Sequence, residues 1–205
     1  MKLLDFFRIF KRKTFSKAEA ERNTYLPFYW DDDYCQIEIV PAENSESIVE
    51  RMTEIKIPAD QSREGLGFTE IFEVGQMSIT TFSEEIRTDA LSQLLTDYKF
   101  EKAKSINYVG DKIANCETVS SKAFGFPNFT IFIETEEEFV KHIWLAINAP
   151  DSRAEISREQ FKLIKGVLYS LGEEYEMVLA DWNSLQLIDL RDRNQIDKYL
   201  NSYWK

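Results

Sequence analysis

The sequence predicts an α+β fold: an antiparallel sheet of six or more strands, about three helices packed on one face, and a short N-terminal amphipathic helix. Three observations lead there. Residues 129–134 and 139–148 alternate apolar and polar side chains with the period of half-buried strands. Residues 86–98 and 158–171 repeat apolar side chains at helical spacing. The 205 residues are 43% hydrophobic, and a chain of this size closes a core without a disulfide or a metal.

Taken in order, residues 3–13 place Leu3, Phe6, Phe7 and Phe10 on one helical face and gather Arg8, Lys11, Arg12 and Lys13 at the end. Cations there complement the helix dipole, so this is a short basic amphipathic helix that docks on the body or touches an anionic membrane surface. Asp5 and Arg8 interrupt its apolar run and no small-residue cleavage site follows, so export by a signal peptide is not expected. Residues 14–27 are polar and end in Leu26-Pro27, a linker. The expected organisation is therefore a basic arm and linker over 1–27 and a single α+β domain over 28–205.

Residues 28–40 read as a strand, with Cys35, Ile37 and Ile39 alternating with Gln36 and Glu38 until Pro41. Ser45 is a helix N-cap, and Ile48, Met52 and Ile55 recur at helical spacing up to Pro58. Gly65 and Gly67 open a hairpin with strands near 68–74 and 77–82. Ser83, followed by Glu84 and Glu85, caps a core helix striped by Ile86, Ala90, Leu91, Leu94, Leu95 and Tyr98.

Strand-like stretches follow near 104–109, 115–124, 129–134 and 139–148, the last two joined by an acidic turn over 134–138. A helix starting at Thr135 is the competing reading of that turn. Ser157 and Gln160 fit a capping box ahead of Phe161, Ile164, Val167, Leu168 and Leu171, with Gly172 as the stop. Residues 175–180 and 185–190 then flank the turn Asp181-Trp182-Asn183-Ser184, and Asp192 with Gln195 caps a last helix. No repeat and no later linker divides the chain.

Charge narrows the function. Against 36 acids stand 25 bases, a net of −11, and such a surface repels a phosphate backbone, so no nucleic-acid partner is expected. Residues 31–54 are the most one-sided segment, with eight acids against one base, Arg51. That surface suits a basic partner, and it equally serves plain solubility. No apolar run is long enough to span a membrane, so no stable insertion is expected. Cys35 and Cys116 lack any paired spacing and read as reduced thiols of a cytosolic protein.

No motif carries catalysis. His142 is the single histidine and falls in an alternating strand as a solvated or packed residue. No zinc pattern, P-loop, GxGxxG turn, GxSxG elbow or HExxH is present. Asp31, Asp32 and Asp33 are consecutive, so in a strand they point to opposite faces and make a poor cation site. Carboxylate pairs are too abundant to mark a general acid and base.

Aromatics are the remaining signal: 15 Phe, 9 Tyr and 4 Trp. Tyr25, Phe28, Tyr29 and Trp30 lie beside the aspartates, and Trp182 falls on a polar turn, a usual place for binding anchors. Alternatively these rings cover the sheet edge and core. The residues selected for partner binding are Trp30, Asp31, Asp32, Asp33, Glu136, Glu137, Glu138 and Trp182.

The Tyr29-Trp30-Asp31-Asp32-Asp33-Tyr34 run leading into an apolar strand, the acidic body, and the closing strand–turn–strand–helix unit around Asp181-Trp182-Asn183-Ser184 together resemble the small acidic bacterial immunity proteins. Those proteins neutralise secreted or contact-delivered toxins. The resemblance implies a cytoplasmic, non-catalytic protein that occludes one cognate protein toxin with a basic surface and uses no cofactor. It transfers no residue roles. The alternative is a small cytoplasmic enzyme of unrecognised type.

Overall fold

A computed structural model of the chain describes residues 25–29, 34–61, 77–108, 112–147 and 156–204, with the backbone alone at 57–61, 112 and 113. The amphipathic helix over 3–13, most of the linker, the 68–74 strand, and Trp30, Asp31, Asp32 and Asp33 lie outside the described residues. The strands are Phe28–Tyr29 (β1), Ile37–Pro41 (β2), Glu101–Lys102 (β3), Ser105–Tyr108 (β4), Lys112–Asn115 (β5), Ser121–Phe126 (β6), Phe129–Glu136 (β7), Phe139–Ile147 (β8), Met177–Asp181 (β9) and Gln186–Asp189 (β10). The helices are Ser45–Gln61 (α1), Thr88–Asp97 (α2), Arg158–Tyr175 (α3) and Arg193–Tyr203 (α4).

Seven strands form one sheet in the order β10-β9-β2-β8-β7-β6-β3, every neighbouring pair antiparallel. The mixed α+β architecture read from the periodicities is the one observed. One sheet face presents Ile37, Ile39, Ile131, Ile133, Ile143, Leu145 and Leu179, against which α2 packs Leu91 and Leu95, α3 Ile164 and Leu168, and α4 Ile196 and Leu200.

The opposite face is also covered. A second sheet, ordered β1-β4-β5, lays Tyr29 and Ile106 over Phe132, Trp144 and Ala146, while α1 sets Ile48 and Met52 on Val40, Val178 and Ala180. Burial on both faces explains why β2 and β9 are buried throughout rather than half-buried as the alternation of Ile37 and Ile39 with Glu38 suggests.

Local chemistry explains where the elements differ from expectation. The stretch over 28–40 is two strands, because Cys35 takes a left-handed φ of 55° within the turn at 34–36. Tyr25 does not belong to a linker: it is 3% exposed, and its hydroxyl bonds the Thr130 hydroxyl at 2.7 Å. No strand forms over 77–82. The Asn44 side chain accepts from the Ile79 N–H and donates to the Ile79 carbonyl, taking both ladder groups, and a 3-10 turn, Thr81–Glu84, follows.

Thr80, rather than Ser83, supplies the capping oxygen at that turn. Ile86 and Arg87 are extended beside β8, with Arg87 paired to Phe139 and Val140 N–H donating to the Ile86 carbonyl. Helix α2 therefore starts at Thr88, and Ala90 lies exposed. The 115–124 stretch divides into β5 and β6 around a turn at 116–118. Helix α1 runs through Pro58, and α3 continues past Gly172 to a left-handed C-cap at Glu176. Gly172 serves packing: a Cβ there would stand 2.4 Å from the Leu190 carbonyl carbon.

The best-read elements hold in detail. The β7–β8 hairpin forms in place of a helix from Thr135, with Glu137 and Glu138 as its turn. Ser157 and Gln160 close the capping box. Asp192 caps α4 by accepting from the Asn194 and Gln195 N–H groups.

Candidate partner-binding surface

Pairing places the carboxylates. Ile39 lies across from Ile143 on one side and Leu179 on the other. The end of β2, the start of β9 and the tip of the β7–β8 hairpin therefore share one end of the large sheet. Trp182 and its turn lie at the other end, on the order of 20 Å away along the strands at about 3.3 Å per residue.

Exposed glutamates converge on the hairpin end from four directions. Glu136, Glu137 and Glu138 form the tip, and Glu173, Glu174 and Glu176 close α3. Glu43 and Glu46 lead into α1, and Glu84 and Glu85 end the 3-10 turn. The Ala42 N–H donates to the Glu176 carbonyl, which ties the second and third groups together. Two bases temper the field: Arg87 pairs with Asp89 and Glu138, each at 3.1 Å, and Lys141 pairs with Glu136 at 3.1 Å.

An exposed apolar side chain stands among them. Phe82 is 40% exposed, one of two large hydrophobic side chains so open among the described residues, and it meets Phe139 edge-on at 6.3 Å. The sequence does not mark it, because residues 77–82 have the pattern of a strand while Phe82 sits on the 3-10 turn.

Three of the glutamates occupy strained backbone. Six described non-glycine residues have positive φ, and Glu85, Glu137 and Glu176 are three of them. Left-handed geometry costs an L-residue roughly 1–2 kcal/mol and is the usual place of Gly or Asn. Local structure alone does not ask for glutamate at these turns.

Trp182, the other selected residue among those described, falls elsewhere. Trp182 is 8% exposed and is no open anchor, since its indole N–H donates to Glu38 Oε1 at 2.8 Å; an indole has one donor and must satisfy it when buried. Glu134, expected in the acidic turn, is buried in β7, where it accepts from the Tyr34 hydroxyl at 3.0 Å.

His142 lies opposite Glu134, edge-on to Tyr34 at 6.3 Å. Burial lowers its pKa, while Glu134 raises it. Burial also pushes the Cys35 thiol far above its ordinary range and the Cys116 thiol up to about 11, so neither is a thiolate at neutral pH. Among the described residues no three His, Cys, Asp or Glu side chains are grouped to hold a metal, and no helix is long and apolar enough to cross a membrane.

Burial raises the Glu38 carboxyl pKa, and the Trp182 bond only partly offsets it. A carboxyl whose folded pKa exceeds its unfolded value holds its proton better in the native state, so its contribution to stability falls as pH rises from about 4 through the folded pKa. Glu38→Gln keeps an acceptor for Trp182 and removes that loss. The variant should match the parent near pH 4 and melt higher at pH 7, with the gap widening between. Thermal unfolding across that range checks it, and a variant less stable than the parent at pH 7 contradicts it.

In comparison with known proteins, the chain matches no family model, no curated protein and no solved structure.

Proposed function

We propose that this chain is a non-catalytic binding protein of the immunity type, which neutralises a basic protein toxin by covering it with the acidic end of the large sheet. The observation that carries the reading is the set of exposed glutamates around Phe82, three of them at left-handed positions where glycine would cost less. Complementary charge speeds encounter and makes it salt-sensitive, and a desolvated aromatic supplies much of the affinity. Phe82 takes the role first given to Trp182, and Trp30 lies outside the described residues. Residues 31–33 add to the acidic excess, though their position is outside the described residues.

The test is co-expression with the protein encoded beside this chain, followed by association kinetics on the purified pair. Reversing Glu136, Glu137 and Glu138 to Lys should slow association by about 10–100-fold at low salt and less at high salt. Phe82→Ala should mainly speed dissociation. Cells protected equally by the parent and by the combined variant would overturn this face as the binding surface.

A further inference from the structure

A second feature lies on the helix-covered face, beside the hairpin tip. A groove of about 550 Å³ runs between α2 and the edge of the large sheet, with Ser92, Gln93 and Thr96 on its helical wall and Lys102, Lys122 and Phe124 on its strand wall. That volume falls within the range of small-molecule sites. Lys102 on β3 stands directly across from Phe124 on β6, and Lys122, two residues earlier on β6, shares its face. Cross-strand diagonal neighbours lie roughly 7–8 Å apart, and like charges so placed repel.

Among the described residues neither lysine makes an ion pair, although the chain carries eleven more acids than bases. The repulsion is felt at Lys122, whose pKa is lowered by burial and then by the neighbouring Lys102 charge. The far end of the groove has the opposite sign. Asp89, Glu137 and Glu138 line it, with Arg87 holding Asp89 and Glu138, so Glu137 is the carboxylate left without an ion pair among the described residues. Thr88, 7% exposed, lies in the wall between the two ends with its hydroxyl unpartnered.

We infer that this groove binds a small zwitterionic metabolite, its anionic group seated between Lys102 and Lys122 and its amine directed at Glu137. Lysine recognises such a group as a point charge, and an anion seated between two ammonium groups attracts both and offsets their repulsion, a phosphate more fully than a singly charged carboxylate. The groove shares Glu137 and Glu138 with the proposed toxin-binding face, but its ligand is tested on the chain alone, so the proposal stands or falls without that reading.

The experiment is a titration of the full chain at constant ionic strength, followed by amide shifts in α2 and β6. Three probes are used: inorganic phosphate, O-phosphoethanolamine and γ-aminobutyrate. Saturable binding of at least one amine-bearing probe is expected, tighter than inorganic phosphate by about 3–10-fold, since a surface ion pair adds up to about 1 kcal/mol. Whichever amine-bearing probe binds more tightly identifies the anionic group as phosphate or carboxylate.

Replacing both lysines with Gln should weaken binding at least tenfold, and Glu137→Gln should erase the preference for the amine. Lys102→Gln, on an exposed edge strand, provides the same test at smaller effect if the double variant unfolds. Shifts that stay linear with every probe, or a lysine variant that binds as the parent does, overturn the proposal.

Discussion

Asp181→Ala should destabilise the protein by about 2–4 kcal/mol, because it strands buried donors that each cost about 1–3 kcal/mol when left unsatisfied. Asp181 is fully buried and is the hub of the closing strand–turn–helix unit. Its Oδ1 accepts from the Ser184 N–H at 3.0 Å, holding the β9–β10 turn. Its Oδ2 accepts from the Tyr199 hydroxyl at 3.0 Å and the Tyr203 hydroxyl at 2.7 Å, tying α4 to the sheet.

Burial raises both phenol pKa values, Tyr203 to about 12, so both remain donors at neutral pH. Alanine leaves the Tyr199 hydroxyl buried without its acceptor, and such an orphan costs about 1–3 kcal/mol by itself. Asp181→Asn keeps one acceptor oxygen and should lose clearly less. Urea unfolding of both variants decides the matter: an alanine variant within about 1 kcal/mol of the parent would show that the network adds nothing.

The same residue shows what could be read from the chain and what could not. Asp181 was legible as a turn former, because Asp-Trp-Asn-Ser is turn chemistry between two apolar runs. Its bonds to Tyr199 and Tyr203 depend on α4 folding back across the sheet, which no local pattern encodes. Trp182 failed for a related reason: its partner Glu38 lies 144 residues away, and a buried indole–carboxylate pair has the composition of an exposed polar turn. Gly172 has the sequence position of a helix stop, yet its absent side chain admits the Leu190 backbone.

Features that held are those whose physics is local, such as the Ser157 box, the Asp192 cap and the period of the β7–β8 hairpin. The acidic surface was half legible. Glu136, Glu137, Glu138, Glu173, Glu174 and Glu176 each stand out in the sequence. Their meeting at one end of the sheet follows only from the register of β2 against β8 and β9.

Trp144→Ala should cost about 3–5 kcal/mol, the range for truncating a large buried aromatic, and its effect should be uneven across the molecule. Trp144 is 2% exposed and stacks on Phe132 at 5.3 Å with 11° between the planes. Tyr29 and Tyr34 meet it edge-on at 6.0 and 5.1 Å. Its ring therefore joins the large sheet to the small sheet and to the turn before β2. The neighbouring Leu145 points to the helix-covered face, as alternation along a strand requires. A cavity at Trp144 thus loosens one layer directly and leaves the packing beneath α3 and α4 in place. Hydrogen exchange should show amides of β4 and Tyr34 losing protection by more than those of α3, because local opening follows the layer that has lost its contacts. Uniform loss across both layers would mean that the two faces of the sheet unfold as one unit and that the small sheet has no separate opening.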